Sequence, residues 1–202
     1  MIEELKPQKF NKKTQSWKEA VDAVESAEAT ELTLVTYNVW FGKYYFQERC
    51  EALLKIVRDG EADVIGLQEV TPNFLEIVLK QGWVRDSYYI SDATGVSVQD
   101  YGVLLLSRIP IRRMFLHKLL SFMNRKFLVA EFCIKGETFN VATVHLESPK
   151  ESALIRATQL CEIFPQLSKS EHSVLMGDFN FCSSWKSENA NIDRSYQDIW
   201  AV

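Results

Sequence analysis

The stretch DVIGLQEVTP at residues 63–72 has the pattern of a buried strand that leads directly into a helix. Its first half is apolar and rich in β-branched residues, which is typical of strands. Thr71 followed by Pro72 is typical of a helix N-cap with proline at the first helical position, and Gly82 suits the end of that helix. Glu69 lies at the carboxyl end of the strand, so we predict that the strand delivers a carboxylate to the edge of a sheet.

The same alternation of strands and helices continues in both directions from this stretch. Further strands are predicted at residues 32–38, 101–107, 111–117, 127–134, 138–146 and 173–178, and further helices at residues 47–58 and 149–167. The last of these helices follows Ser148-Pro149-Lys150-Glu151, which fits a capping box. Because some strands are joined by helices and others by hairpins, the sequence predicts an α+β fold rather than a purely parallel sheet.

The composition is that of one ordinary folded domain, with 202 residues, 47% hydrophobic residues and a net charge of −4. Residues 1–30 are polar, and we expect them to form a loosely packed arm with one short helix from Trp17 to Ala29, ahead of a domain at residues 31–202. No apolar stretch reaches the ~18 residues of a membrane span, and the N-terminus does not resemble a secretory signal. We therefore expect an intracellular protein, cytoplasmic or nuclear, and a monomer, since nothing in the sequence requires an oligomer.

Charge is distributed unevenly along the chain. No acidic residue lies between Asp100 and Glu131, and this basic segment contributes +6, so the remainder of the chain carries −10. The six cations of the basic segment are Arg108, Arg112, Arg113, Lys118, Arg125 and Lys126. Such a segment can form a phosphate-binding rim or simply the solvated surface of a strand pair. The sequence leaves both alternatives open.

Polar residues follow several of the predicted strands at their carboxyl ends: Asn38, Glu69, His145, Asp178 and Asn180. Each residue alone has a structural alternative, namely a turn-forming asparagine, a carboxylate beside a helix cap, or a hydrogen-bonded core histidine. Together they suit Mg²⁺, which takes one or two carboxylates and fills its other positions with water and substrate phosphate. The amide and imidazole groups can donate to phosphate oxygens, and a carboxylate can orient or deprotonate water, which is most of what phosphoryl transfer requires.

Four short motifs identify a family by resemblance: TYNV at 36–39, LQEV at 67–70, HLES at 145–148 and GDFN at 177–180. Their order resembles that of the endonuclease/exonuclease/phosphatase superfamily of Mg²⁺-dependent phosphoesterases. The HLES and GDFN motifs, together with SFMNR at 121–125, are most similar to the tyrosyl-DNA phosphodiesterase 2 branch. The resemblance extends from Leu32 to Trp200, most of the chain.

The resemblance implies a four-layer α/β/β/α sandwich of two mixed sheets, as in DNase I-like folds, with the site at one end. It implies that Glu69 binds the metal, Mg²⁺ or alternatively Mn²⁺, and that Asp178 positions or activates water. Asn38 and Asn180 would contact the phosphate and the nucleophilic water, and His145 would stabilise transition-state charge. Substrate-binding positions are matched by Tyr101, Arg125 and Ser148.

The implied function is metal-dependent hydrolysis of a phosphodiester, at a nucleic-acid end, as in a DNA-repair nuclease. The alternatives are a phosphoesterase acting on RNA, phospholipid or inositol phosphate, or a catalytically inactive phosphate-binding module. A nucleic-acid substrate is favoured by the basic segment, whereas the acidic total charge argues against broad non-specific DNA binding.

The sequence departs from the family pattern in three places. Trp40 stands where the first motif usually has an aspartate, and Cys182 stands where the tyrosyl-DNA branch has a basic residue. The family also closes with a strand that ends in Ser-Asp-His, and this chain has no histidine after Asn180. We therefore expect that the closing strands of the domain are absent from this chain.

Overall fold

Two β-sheets pack face to face at the centre of the protein, in a computed structural model that describes residues 2–20 and 26–199. The strands are β1 (Ile2–Leu5), β2 (Gln8–Asn11), β3 (Ser16–Glu19), β4 (Leu34–Asn38), β5 (Val64–Val70), β6 (Tyr89–Ile90), β7 (Gly102–Ser107), β8 (Arg113–Lys118), β9 (Lys126–Ile134), β10 (Glu137–His145) and β11 (His172–Asp178). One sheet has the order β1-β8-β9-β10-β11, and the other has the order β3-β2-β6-β7-β5-β4.

Helices cover the outer face of each sheet. They are α1 (Phe46–Asp59), α2 (Pro72–Lys80), α3 (Gly82–Ser87), α4 (Ala153–Leu167) and the short α5 (Lys186–Asn189). Helices α1 and α2 pack on the six-stranded sheet, and α4 packs on the five-stranded sheet. The predicted four-layer α/β/β/α sandwich of mixed sheets is thereby confirmed. Within residues 2–20 and 26–199, no helix combines the length and apolar character needed to cross a bilayer.

Both faces of each sheet are apolar, because each sheet is covered on both sides. In β7, Val103 and Leu105 face the other sheet, while Leu104 and Leu106 face the helical layer. Successive side chains of a strand point to opposite faces, so a sheet covered on both sides needs near-continuous apolar runs. The apolar runs from which strands were predicted therefore fill three apolar layers, one between the two sheets and one under the helices on each side.

Residues 2–20 form strands, which the sequence did not predict. Strand β1 pairs with β8 in one sheet, and β2 joins β6 of the other sheet, with β3 beyond it. The helix predicted from Trp17 is therefore wrong where the structure describes it, since Trp17 lies in β3 and its ring packs against Phe10 at 5.5 Å. Pro7 is the one buried residue among residues 2–20, and the expected loose packing stays a prediction. Residues 21–25 of that predicted helix, and Trp200, lie outside the described residues. The domain boundary at residue 30 stays a prediction.

Two parallel strand pairs determine where the strand ends meet. Strand β4 pairs with β5, and β10 pairs with β11, each in parallel, whereas all other pairs are antiparallel. Parallel neighbours end at the same edge of a sheet. Because β4 and β11 also contact each other across the two sheets, the carboxyl ends of all four strands meet at one end of the sandwich.

Candidate active site

Asn38 connects the two carboxylates at this end of the sandwich. Its Nδ2 donates to Oε1 of Glu69 over 3.0 Å and to Oδ2 of Asp178 over 2.8 Å. Asn38 ends β4 and Asp178 ends β11, so one amide joins the two sheets. The two strand ends therefore lie side by side, and the Asp178 side chain is 31% exposed.

A backbone irregularity aims Glu69 into this cluster. The pairing of β5 with β7 shifts register between Leu67 and Val70, and Glu69 has a φ of 59°. A left-handed conformation costs an L-residue about 1–2 kcal/mol, and such strain persists only where surrounding contacts hold it. Here Oε2 of Glu69 accepts from the backbone N–H of Phe41 at 3.2 Å, which fixes the carboxylate from the far side.

His145 is the buried imidazole of the cluster. Its Nε2 lies 3.7 Å from Oδ2 of Asp178 and 4.0 Å from Oε1 of Glu69, and its side chain is 4% exposed. Burial, together with the positive charge of Arg125, lowers the pKa of His145 to about 4, although the two carboxylates oppose the shift. The imidazole is therefore neutral near pH 7. A neutral ring can still stabilise developing negative charge, but only by donating its one N–H.

Asn180 and Gly177 shape the loop that carries Asp178. The backbone N–H of Asn180 donates to Oδ1 of Asp178 at 3.0 Å, and its Nδ2 donates to the carbonyl of Leu146 at 2.9 Å. Gly177 has a φ of 144°, and a Cβ there would lie 2.0 Å from the carbonyl oxygen of Val144. Only glycine therefore lets β11 approach β10 closely enough to place Asp178 beside His145.

The predicted substrate-binding residues form a second group beside the cluster. Arg125 is 3% exposed, and its Nη2 donates to the hydroxyl of Ser148 while its Nη1 lies 2.8 Å from Nδ1 of His145. Its guanidinium lies 5.4 Å from the centre of the Tyr101 ring, and the Tyr101 hydroxyl donates to the carbonyl of Met123 at 2.6 Å. Arg125 thus connects Tyr101 and Ser148 to the cluster around Asn38.

The capping box predicted at Ser148 is wrong. A short 3-10 turn at Lys150–Ser152 precedes α4, whose N-cap Ser152 makes no side-chain capping bond. The Ser148 hydroxyl accepts from Arg125 instead. Ser148, which the sequence pattern predicts as a helix cap, therefore positions the Arg125 guanidinium instead.

The basic segment does not form one phosphate-facing rim. Arg112 lies 3.6 Å from Glu131, and Arg113 lies 3.6 Å from Glu4, so these guanidinium groups are compensated on the strand surface. Of the six cations in the segment, Arg125 is the one with contacts to the candidate site residues. Arg112 and Arg113 thus belong to the surface of a strand pair, which was the other alternative for the basic segment.

Two buried charged residues behind the site have no role in the sequence prediction. Glu147 is 1% exposed and accepts from the Ser121 hydroxyl at 2.6 Å and from the Phe122 N–H at 3.0 Å, which holds the loop ahead of Arg125. Arg156 of α4 is fully buried and donates to the carbonyls of Glu147 and Pro149. Glu147 was visible in the HLES motif, whereas the only signal for Arg156 was a charge on the apolar stripe of α4.

The loop after Asn38 is the other feature that the sequence did not assign. Trp40 has a φ of 51°, its N–H donates to Oδ1 of Asn38 at 3.0 Å, and its ring lies 4.4 Å from the Arg49 guanidinium. Trp40 is 51% exposed and Phe41 is 45% exposed. Where the family pattern has a carboxylate, this chain places a half-exposed indole that is held by an arginine.

The donor set at the cluster fits a divalent metal of the Mg²⁺ type. Glu69 and Asp178 each supply a carboxylate oxygen that accepts from the same amide nitrogen of Asn38. Across residues 2–20 and 26–199, no three His, Cys, Asp or Glu side chains are grouped so that they could hold a metal ion. An open site with few protein oxygens suits Mg²⁺, which keeps water and substrate phosphate in its remaining positions.

Comparisons with known proteins show which proteins the chain is similar to. It is 25% identical over 176 residues to Tyrosyl-DNA phosphodiesterase 2 of Gallus gallus, which covers 83% of this chain and 46% of that protein. The chain thus spans about half the length of the curated relatives it matches. The expected similarity to the tyrosyl-DNA phosphodiesterase 2 branch is confirmed by this match.

Solved structures show the same fold. The structure of D. rerio TDP2 complexed with single strand DNA product has a TM-score of 0.72 at 22% identity, over 86% of this chain and 70% of that one. Beta toxin from Staphylococcus aureus with bound magnesium ions has a TM-score of 0.64 at 22% identity, over 81% of this chain and 70% of that one. The model of the Endonuclease/Exonuclease/phosphatase family matches residues 35–196. This chain therefore belongs to the Endonuclease/Exonuclease/phosphatase family.

Proposed function

We propose that the protein hydrolyses phosphodiesters with the help of a divalent metal, Mg²⁺ or alternatively Mn²⁺. The observation that carries the proposal is the bridge from Asn38 to both Glu69 and Asp178, which brings carboxylates from two sheets together. When bound, the metal would neutralise phosphate charge and polarise the phosphoryl oxygen. Glu69 would hold it, since Oε1 faces the cluster and Oε2 is fixed by the backbone.

Proton transfer and charge stabilisation fall to the neighbouring side chains. Asp178 is the more exposed carboxylate of the cluster, so it can orient and deprotonate the attacking water. His145 is neutral, and its Nε2–H can donate to a phosphoryl oxygen as negative charge develops in the transition state. Asn38 and Asn180 complete the set of groups that contact the phosphate and the water.

Arg125 and its neighbours would bind the substrate beside the scissile bond. A guanidinium pairs well with phosphate oxygens, and Nε of Arg125 is buried without a hydrogen-bond partner. Tyr101 places an aromatic face next to the same guanidinium. We propose that these residues, with the Ser148 hydroxyl, hold the group on one side of the phosphodiester.

We further propose a nucleic-acid end as the substrate, in the manner of a tyrosyl-DNA phosphodiesterase. The curated relative carries that name, and the D. rerio structure holds a single-stranded DNA product. Such a role in DNA repair would place the protein in the nucleus or the cytoplasm, and the proposed acting form is a monomer. RNA, phospholipid and inositol phosphate stand as the alternative substrates.

An inactive phosphate-binding module is the second candidate, and Trp40 favours it. The indole stands where the family pattern has an aspartate, so one carboxylate is missing from the surroundings of the metal. Against this candidate, both remaining carboxylates, the histidine and both asparagines are present and grouped. A binding module would need only part of that set.

A chromogenic phosphodiester separates the two candidates. We expect Mg²⁺-dependent release of nitrophenol from bis(p-nitrophenyl) phosphate by the unaltered protein, and a fall of at least about 10²-fold in Glu69→Gln. Equal rates for the two proteins, or no metal-dependent hydrolysis, would contradict the proposal. Comparing a 5′-tyrosyl oligonucleotide with a ribo-oligonucleotide and a phospholipid then identifies the substrate class.

A further inference from the structure

The loop between β4 and α1 exposes aromatic rings at the mouth of the site. Trp40 is 51% exposed, Phe41 45%, Tyr44 70% and Tyr45 60%. Aromatic side chains bury large areas when they only stabilise a fold, so four exposed rings in six residues suggest a surface that binds something. Trp40 and Phe41 are the two that touch the catalytic cluster, through the hydrogen bonds of their backbone N–H groups to Asn38 and Glu69.

The rings are fixed in place by one arginine. Arg49 of α1 donates to the carbonyls of Val39, Trp40, Gly42 and Tyr44. Its guanidinium also covers the Trp40 ring, with 4.4 Å from Cζ to the ring centre. The packing at Gly42 is equally tight, because a Cβ there would lie 2.7 Å from the Trp40 indole. Arg49 therefore holds the backbone of the loop and the Trp40 ring, in a conformation that leaves the aromatic rings exposed.

A row of planar groups connects this loop to the catalytic histidine. The Phe41 ring lies 5.2 Å from the Tyr101 ring, and Tyr101 lies 5.4 Å from the guanidinium of Arg125. Arg125 in turn contacts His145 at 2.8 Å. If the phosphate of a substrate lies at the cluster, the group attached to that phosphate would therefore lie over Phe41 and Trp40.

We propose that Trp40 and Phe41 form a stacking site for a nucleobase next to the scissile phosphodiester of a single-stranded nucleic acid. This inference rests on the proposed function, and it assigns the neighbouring nucleotide to a specific surface. A base has a flat face that stacks on aromatic rings whatever its sequence, and an unpaired strand can turn that face toward them. An acyl chain would need a continuous apolar surface, whereas this loop also presents Lys43 and the hydroxyls of Tyr44 and Tyr45.

The test is a coupling measurement between one side chain and one base, made without divalent metal so that no hydrolysis occurs. Fluorescence anisotropy gives the Kd of an eight-nucleotide single-stranded DNA and of a series in which one abasic site is moved along it. Trp40→Ala and Phe41→Ala should each weaken binding about 5–100-fold, and Trp40→Phe should retain most of the affinity. Ile56→Ala is the matched control, because Ile56 is a 62% exposed apolar residue of α1 outside the loop.

One abasic position should weaken binding to the unaltered protein and have no further effect on Trp40→Ala. Independent effects of the variant and of every abasic site would overturn the inference, as would unchanged Kd values in both alanine variants. If the alanine variants lost binding to phosphatidylcholine vesicles but kept their affinity for DNA, the inference would also be overturned and the loop would be assigned to lipid binding. Thermal melting of each variant verifies that it folds.

The outcomes also separate this inference from the proposed function. Hydrolysis of bis(p-nitrophenyl) phosphate without coupling between Trp40 and a base would retain the activity and reject the stacking site. Coupling without any metal-dependent hydrolysis would retain the stacking site and reject the activity.

Discussion

Arg125 donates from Nη1 to Nδ1 of His145 over 2.8 Å. A guanidinium has no acceptor, so Nδ1 of His145 must accept and the ring proton must be on Nε2. That proton points toward the side of the ring on which Glu69 and Asp178 lie, 4.0 and 3.7 Å from Nε2. The arginine thereby determines which nitrogen of the histidine ring can donate a hydrogen bond.

The first prediction follows from this tautomer. Long-range ¹H–¹⁵N NMR at pH 7 should show the Nε2–H form of His145, and Arg125→Gln should weaken that preference while lowering kcat about 10²-fold. His117 is the internal reference, since its ring packs on Phe127 at 4.9 Å. An Nδ1–H tautomer in the unaltered protein would contradict the assignment.

The second prediction concerns the bridge made by Asn38. Asn38→Asp keeps the shape of the side chain but replaces the donor with a third carboxylate, so the group would repel Glu69 and Asp178 instead of binding both. We expect kcat to fall about 10²-fold with little loss of Tm. Asn73→Asp makes the same chemical change at an exposed position in the first turn of α2, and should leave the rate unchanged.

The third prediction tests the close approach at Gly177. In Gly177→Ala the new methyl would meet the Val144 carbonyl at 2.0 Å, so β11 must separate from β10. A loss of at least about 3 kcal/mol in the free energy of unfolding is expected, by urea denaturation. Gly82→Ala is the control: a Cβ at Gly82 meets nothing within 4 Å, and the change should be neutral or slightly stabilising.

The fourth prediction concerns the buried pair of Arg156 and Glu188, whose Nε and Oε2 are 2.9 Å apart. Arg156→Met leaves the carboxylate of Glu188 buried without its cation, which typically costs about 3–5 kcal/mol. Adding Glu188→Leu should recover a substantial part of that loss, measured by urea denaturation. A double variant no more stable than Arg156→Met would show that the contacts of Arg156 to the carbonyls of Glu147 and Pro149 dominate.

The fifth prediction is a pH dependence of stability. Asp92 is 6% exposed, and although burial would raise its pKa, hydrogen bonds from Ser97 and Thr94 outweigh burial and hold the pKa below its ordinary value. The folded protein therefore binds this proton less readily than the unfolded chain does. The stability from Asp92 is fully present above the unfolded pKa of about 3.9, and is lost as pH falls through the lower folded value.

Asp92→Asn provides the measurement for this dependence. At pH 7 the variant should be less stable by about 1–3 kcal/mol, because one carboxylate oxygen becomes an amide donor facing other donors. The difference between the two proteins should shrink as the pH falls below about 4. A difference that stays constant from pH 7 to pH 3 would contradict the assignment to Asp92.

The layered fold and the convergence of four strand ends could be predicted from the sequence. Long apolar runs lead into the motifs and end at Asn38, Glu69, His145 and Asp178. Parallel pairing of β4 with β5 and of β10 with β11 then brings the ends of these strands together. The helix after Thr71 was equally predictable, because its cap is local: the Thr71 hydroxyl accepts from the N–H of Phe74. In each case the signal lies within a few residues of the feature.

Features set by distant contacts could not be predicted in this way. Strands β1 to β3 are four residues long and mostly polar, so they become strands only by joining sheets that other segments form. The conformation of the loop at Trp40 depends on Arg49, and the use of Ser148 depends on Arg125. Nothing within a few residues of Trp40 or Ser148 indicates the partner that decides its role.

The bridge between Asn38 and Asp178 joins residues 140 positions apart in the chain. Closing so long a loop has a large entropic cost and is therefore slow, and most of the protein lies between the two residues. During synthesis, the two carboxylates can meet only after β11 has left the ribosome, when β4 and β5 are long complete. Recovery of activity would therefore mark one of the last steps of refolding, later than the appearance of secondary structure.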